Sequence, residues 1–396
     1  MGVMDSIERF AQEQGWVVKY AADGTPNFFY PIPKMKSSDI DPSLPNTTHP
    51  AFRINGQEVS RRLIAVYKGG DFNSGCHSIP NVPPLVNLGA DQLLAKIKAN
   101  GAGFGPKTVA DSGLLLLLAK KLGYSVIKGN NNTGQDYCDA TKWAKDTAYT
   151  VGNERAHLGI LYECITAHTS VESVTPPDAP LLWKPIRRIG GVMAPNNLNT
   201  LTGSGPKSWR FGGKANGIDD LTGNTMDQDY GYRIVGGEIQ IIADNNAADP
   251  GADLSANSAA WKAILPSSSD ETYTLVAPGT AGTLHWNWLN DKWTLDTETA
   301  AAVLTQGGKS TAFKDLAVNS NNLPYVPCIM RELGLFPISG DQTQGTVYMD
   351  IISGERFPRR GGNYYHTSAA GLGCVYAHYA RSDTHASCGV RSGFVE

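Results

Sequence analysis

The apolar positions of this chain fall into two regimes. In the first half several segments follow helical spacing. Ala90–Ala99 sets Leu93, Leu94 and Ile97 on one face. Thr108–Leu122 is the strongest helix: Thr108 and Asp111 stand at capping-box spacing, and Gly123 supplies a stop. Its five consecutive leucines, Leu114 to Leu118, argue for burial on most sides. Asp139–Tyr149 and Glu154–Ala167 read as further helical segments, and Phe52–Ile54 and Leu63–Tyr67 as short strands. From Ser170 onward the apolar runs shorten between Gly, Pro, Asn and Ser. Tyr232–Ile242, Thr272–Ala277, Gly282–Trp288 and Val347–Ile352 read as strands joined by long loops. Long loops in a compact domain usually carry function.

Residues 1–48 read as a short N-terminal leader, an attachment or oligomerisation segment. Ile7–Gln14 can form one or two amphipathic helical turns there. Tyr30-Pro31-Ile32-Pro33 and Asp39–Pro50 have the composition of an extended linker. Residues 49–396 read as one continuous α+β domain. An apolar content of 41% with 18% charged residues suits a folded protein. A net charge of −3 without any basic block argues against a nucleic-acid partner. The N-terminus has no apolar signal core, and the longest apolar run, Leu114–Ala119, is too short to cross a bilayer. Membrane insertion is therefore not expected, and synthesis in the cytoplasm is.

Candidate catalytic chemistry is sparse. The six cysteines form no C-x-x-C pair and read as free, mostly buried thiols. No H-E-x-x-H, P-loop, G-x-S-x-G or kinase set is present. His366, His378 and His385 are close in sequence but lack metal-ligand spacing, so neither a metal nor a cofactor is expected. Asp219-Asp220 and Asp227-Gln228-Asp229 read as solvated loop acids or turn caps, since no partner nucleophile stands out.

The C-terminal segment departs from the rest in composition. The forty residues from Arg356 to Val395 contain no Lys, Glu, Gln, Met or Trp, yet are rich in Tyr, His, Ser and Ala between Gly and Arg. Tyr364, Tyr365, Tyr376 and Tyr379 are the candidate anchors of a binding surface, because Tyr gives a large, stiff, amphipathic face at small entropic cost. His366, Ser368, His378, Asp383, His385 and Ser387 would surround them. Strand alternation over Val375–Tyr379 would turn Val375 and Ala377 inward and Tyr376 and His378 outward. Gly361, Gly362, Gly371 and Gly389 would permit turns or close backbone approach. Arg360, Arg381 and Arg391 would hold loops through forked hydrogen bonds.

Three stretches together resemble a known superfamily. They are Ser208–Gly213 followed by Gly217–Asn224, then Gly231–Gln240, and finally the frame of Arg360-Gly361-Gly362-Asn363, Ala380-Arg381 and Gly389-Val390-Arg391. The chain is similar here to the C-type-lectin-like fold of the formylglycine-generating-enzyme type. With Ala370-Gly371-Leu372 and Ser382, the last segment most resembles the variable proteins of diversity-generating retroelements. In those systems adenines of Asn codons are randomised, giving NNY codons that cannot encode Lys, Glu, Gln, Met or Trp. The resemblance implies a non-enzymatic receptor-binding protein with a variable ligand-binding region over 360–391, such as a phage tail-tip or tail-fibre adhesin. Its partner would be a host cell-surface receptor, protein or glycan. Homo-oligomers, trimers included, and other virion tail proteins are further partners it implies. It would reside in the virion, made in the host cytoplasm.

Two other readings stay open at this point. One is an oxidase of the formylglycine-generating type. The position of its catalytic cysteine falls in Asn363-Tyr364-Tyr365-His366-Thr367, which holds no Cys, and Cys374 and Cys388 do not align with the family's cysteines. The other is a bacterial surface display protein of the same fold.

Overall fold

The computed structural model describes residues 3–124, 127–195, 198–300, 307–351 and 354–396. Strands dominate it. Seven sheets are formed among the described residues, against five α-helices: Val3–Gln14, Ser37–Ile40, Ala90–Lys98, Val109–Lys121 and Cys328–Glu332. The α+β, C-type-lectin-like class expected from the sequence is therefore corrected to a mostly β architecture with a few short helices. The error has a local cause. Glu154–Ala167, read as helical, is a hairpin of Glu154–His157 and Ile160–Cys164. Leu158 and Gly159, at φ 46° and 79°, make its two-residue turn, whose positive φ values match the twist of paired strands. Asp139–Tyr149 likewise contributes only the short strand Ala148–Tyr149. Tyr232–Ile242, read as one strand, is also a hairpin, turning at Gly236-Gly237. In the Val347–Ile352 expectation the strand is Thr346–Met349, and Ile352 lies outside the described residues.

Residues of the short N-terminal leader contribute to the first sheet. Val17–Tyr20 and Pro26–Pro33 pair with each other, and the latter pairs with Arg61–Ala65. Ser392–Phe394, from the other end of the chain, inserts between Arg61–Ala65 and Phe104–Pro106.

The helix Val109–Lys121 is the hub of the main core. Thr108 Oγ1 accepts from the Asp111 amide at 3.3 Å, and Asp111 accepts from the Thr108 amide at 3.1 Å. Leu114, Leu115, Leu116 and Leu117 are all buried. They share one cluster with Trp286 and Leu295 of the largest sheet and with Val347, Met349, Val375 and Ala377 of a six-stranded sheet. A helix that is apolar all round belongs inside such a sandwich of elements.

The paired acids are not solvated. Asp219, Asp220, Asp227 and Asp229 are all buried, which corrects the reading of loop acids. Asp227 meets Lys68 at 3.0 Å and Arg391 at 3.2 Å, and Asp229 meets Arg360 at 2.6 Å. Burial pushes the Asp227 carboxyl up, but Lys68 and Arg391 outweigh it and hold it at about 2. Among the described residues Asp220 has no cation at contact range, and Lys68 and Arg391 act on it only from further away. Burial and the neighbouring Asp219 raise it to about 8.

Candidate ligand-binding surface

The six-stranded sheet places Gly371–Ala377 between Arg359–Gly361 and Thr346–Met349. Along it side chains alternate. Val375 and Ala377 point into the core, while Tyr376 and His378 are half-exposed on the opposite face. Parallel register puts Tyr348 directly beside Tyr376, and the two rings stack with centroids 5.4 Å apart. On its other side Tyr376 stacks on His366 at 4.3 Å, with only 18° between the planes. Tyr365, 50% exposed, meets His366 edge to face at 5.0 Å. At the far end His378 lies 4.9 Å from Tyr348 and 3.9 Å from Tyr379. The Arg359 guanidinium covers the Tyr379 ring at 4.0 Å. The result is an unbroken aromatic strip from Tyr365 to Tyr379.

Two members of this strip were not among the residues singled out from the sequence. Tyr348 lies outside the C-terminal segment, and its strand was legible but its pairing with Tyr376 was not. Arg359 is buried and donates to Gln228 Oε1 at 3.2 Å and to the Asp383 carbonyl at 2.6 Å, tying the 380–387 loop to the strip.

The other candidates divide. Ser368, Asp383 and His385 are exposed on the flanking loops. Asp383 also accepts from the Ala380 amide at 2.8 Å, closing its own turn. Tyr364 and Ser387 are buried, so their expected place on the binding face is corrected. Tyr364 is walled in by the loop that carries Asn130 and Asn131. Its amide donates to Asn224 O at 3.2 Å, and its carbonyl accepts from the Thr133 amide at 2.6 Å. Ser387 Oγ sits 2.7 Å from His385 Nδ1 and orients that ring.

The frame residues hold this surface from below. Arg360 donates to Asp229 and to the Gly334 and Leu333 carbonyls. Arg391 reaches Asp227 and the carbonyls of Ala65, Val66, Asp219 and Asp220. Arg381 bridges Glu355 and Asp91. Gly361 and Gly362 adopt φ 89° and 78°, and Gly371 approaches Gln344 O so closely that a Cβ would lie 2.1 Å from it. Gly389 packs against Leu85 O and Thr225 in the same way.

The two imidazoles of the strip are uncharged near neutrality, and its one charge is the Arg359 guanidinium. Burial, reinforced by His378, lowers His366 from 6.5 to about 4. Burial and then Arg359 lower His378 to about 4, against the opposing pull of Asp350 and Asp383. Among the described residues no cluster of three or more His, Cys, Asp or Glu could hold a metal ion, and no helix is long and apolar enough to cross a membrane.

A second unit has small sheets of its own. Glu154–His157, Ile160–Cys164 and Trp183–Arg188 form a three-stranded sheet, next to the pair Ala148–Tyr149 and His168–Thr169. It has a core of its own: Tyr149, Tyr162, Cys164, Ala179 and Trp183. The Trp183 ring meets Tyr149 at 4.9 Å and His168 at 5.4 Å. Trp143 is half-buried, edge to face with His157 at 5.6 Å. The unit joins the body where Gly134, Gly159 and Gly190 touch backbone to backbone. A Cβ on Gly190 would lie 1.8 Å from Gly134 O. Residues 142–184 match the model of carbohydrate-binding module family 5/12. This similarity to a sugar-binding module is confined to the small unit. No curated protein matches the chain.

Proposed function

We propose that this chain is a non-enzymatic receptor-binding protein that uses the aromatic strip as its ligand surface. One observation carries the reading: a continuous, half-exposed row of Tyr and His stands on a strand whose other face is locked into the core. Tyr-rich patches on rigid scaffolds bind well because the anchors lose little freedom on association. The similarity of residues 142–184 to a carbohydrate-binding module supports a second contact, to glycan, through that unit.

The finer reading is the variable protein of a diversity-generating retroelement, acting as a phage tail adhesin on a host cell-surface receptor. It would sit at the tail tip or fibre, as an oligomer alongside other tail proteins. The division of the C-terminal segment supports it, because most candidate variable positions line the strip and its loops while the frame glycines, Arg360 and Arg391 are buried and Arg381 is partly so. The two thiols of the C-terminal segment favour binding over oxidase chemistry there. Burial pushes Cys374 up to about 12 and raises Cys388, which disfavours the thiolate at both.

The DNA around the gene tests the retroelement. A near-copy of its 3′ end, with adenines at the varied codons and a reverse transcriptase gene alongside, is expected. A locus without that template would remove the claim. For the module, a glycan array probed with the full chain and with Trp143→Ala should show sugar binding that the substitution weakens.

A further inference from the structure

We infer that the strip is built for a polypeptide ligand, and that Tyr348 is a fixed contact supplied from outside the variable segment. The inference rests on the reading of the strip as a binding surface and names its ligand class. A pyranose ring is held by stacking its C–H face on an open aromatic face. In the middle and at the Tyr379 end of the strip those faces are already occupied, and only Tyr365 meets all its neighbours edge-on. Tyr376 is sandwiched between His366 at 4.3 Å and Tyr348 at 5.4 Å. Tyr379 is covered by Arg359 at 4.0 Å and by His378 at 3.9 Å. What the strip offers instead is ring edges and polar tips.

Those tips can all donate, and the hydroxyls can also accept. The hydroxyls of Tyr348, Tyr365 and Tyr376 form no hydrogen bond among the described residues; Tyr365 is exposed, Tyr348 and Tyr376 are partly so, and the Tyr348 hydroxyl lies against Gly308. The Nδ1 atoms of His366 and His378 are buried without a partner. A buried lone pair without a donor costs less than a buried N–H without an acceptor, so each ring carries its proton on Nε2. A row of uncharged O–H and N–H donors between apolar ring edges matches the carbonyls and apolar side chains of a protein surface. The larger clefts lie elsewhere, such as one of about 670 Å³ beside Glu238 and His285.

Tyr348 follows from register. It stands level with Tyr376 on the neighbouring parallel strand, so a ligand reaching one reaches the other. A position outside the C-terminal segment gives every variant of that segment the same contact.

The test pans a random-peptide display library on the full chain and probes the same chain with an array of purified glycans. Tyr365→Ala, Tyr348→Phe and Tyr376→Ala serve as comparison targets. Tyr348→Phe keeps the stacked ring and removes only the hydroxyl, so its melting temperature should match that of the parent. Enriched peptides are expected to bind Tyr376→Ala about tenfold more weakly, and Tyr348→Phe about threefold more weakly. Glycan signals that vanish in Tyr376→Ala would overturn the polypeptide assignment and leave the strip as a binding surface. Peptides indifferent to Tyr348→Phe would remove that residue's role. If neither library yields a binder sensitive to Tyr365→Ala or Tyr376→Ala, the strip itself fails as a binding surface.

Discussion

Tyr365 and Tyr364 are neighbours with opposite roles, and burial separates them. Tyr365 is 50% exposed, whereas Tyr364 is 6% exposed and packed beneath it. Tyr365→Ala should therefore weaken ligand binding by about 1–4 kcal/mol with little change in melting temperature. Tyr364→Ala should instead destabilise the chain by about 3–5 kcal/mol, as removal of a buried aromatic does. Titration of binding against thermal denaturation of the two variants checks the division. His366 and His378 add a dependence on acidity. Each is held at about 4 in the folded chain, below its ordinary 6.5, so the unfolded chain takes up protons first as pH falls. Their contribution to stability is complete above pH 6.5 and drains away toward pH 4. His366→Gln with His378→Gln should flatten that part of a melting-temperature series, while a steep unchanged fall would place the acid sensitivity elsewhere.

Among the elements, the hub helix was fully legible. Thr108, Asp111, Gly123 and the leucine run each act locally, so their meaning survives without knowledge of the fold. Thr108→Ala should cost about 1–2 kcal/mol in chemical denaturation, because it removes a helix cap. The hairpin Glu154–Cys164 was not legible. Its turn uses Leu158 at positive φ, where Asn or Asp is the usual signal, and its apolar residues suit a helix equally well. The strip was half legible. Alternation over Val375–Tyr379 follows from the two-residue period of any strand, and the structure turns those residues as that period requires. Tyr348 could not be found that way, because its value comes from pairing with a strand nearly thirty residues further on. Burial of Tyr364 and Ser387 was hidden for the same reason, since distant loops cover them.

At the scale of the molecule, the buried acids and arginines join segments that are far apart in sequence. Asp227 ties Lys68 to Arg391, and Asp229 holds Arg360, so the C-terminal frame is clamped from inside. Asp227→Asn leaves two cations buried without their counter-charge and should cost about 3–5 kcal/mol in denaturant unfolding. By contrast, exchanging 365–385 for another sequence while keeping Tyr364, Ser387, Gly371, Arg381 and the inward-facing strand residues should change ligand choice and leave the melting temperature close to its starting value. A large loss in that exchange would mean that the strip is structural. The closing strand Ser392–Phe394 gives this arrangement a further property. It fills a gap in the sheet begun by residues 17–33, so no copy that stops or shifts frame before it can complete its first layer. Any polypeptide that completes this sheet therefore carries its reading frame intact through the strip to Ser392–Phe394, so folding itself selects against truncation and frameshift in the strands that precede it.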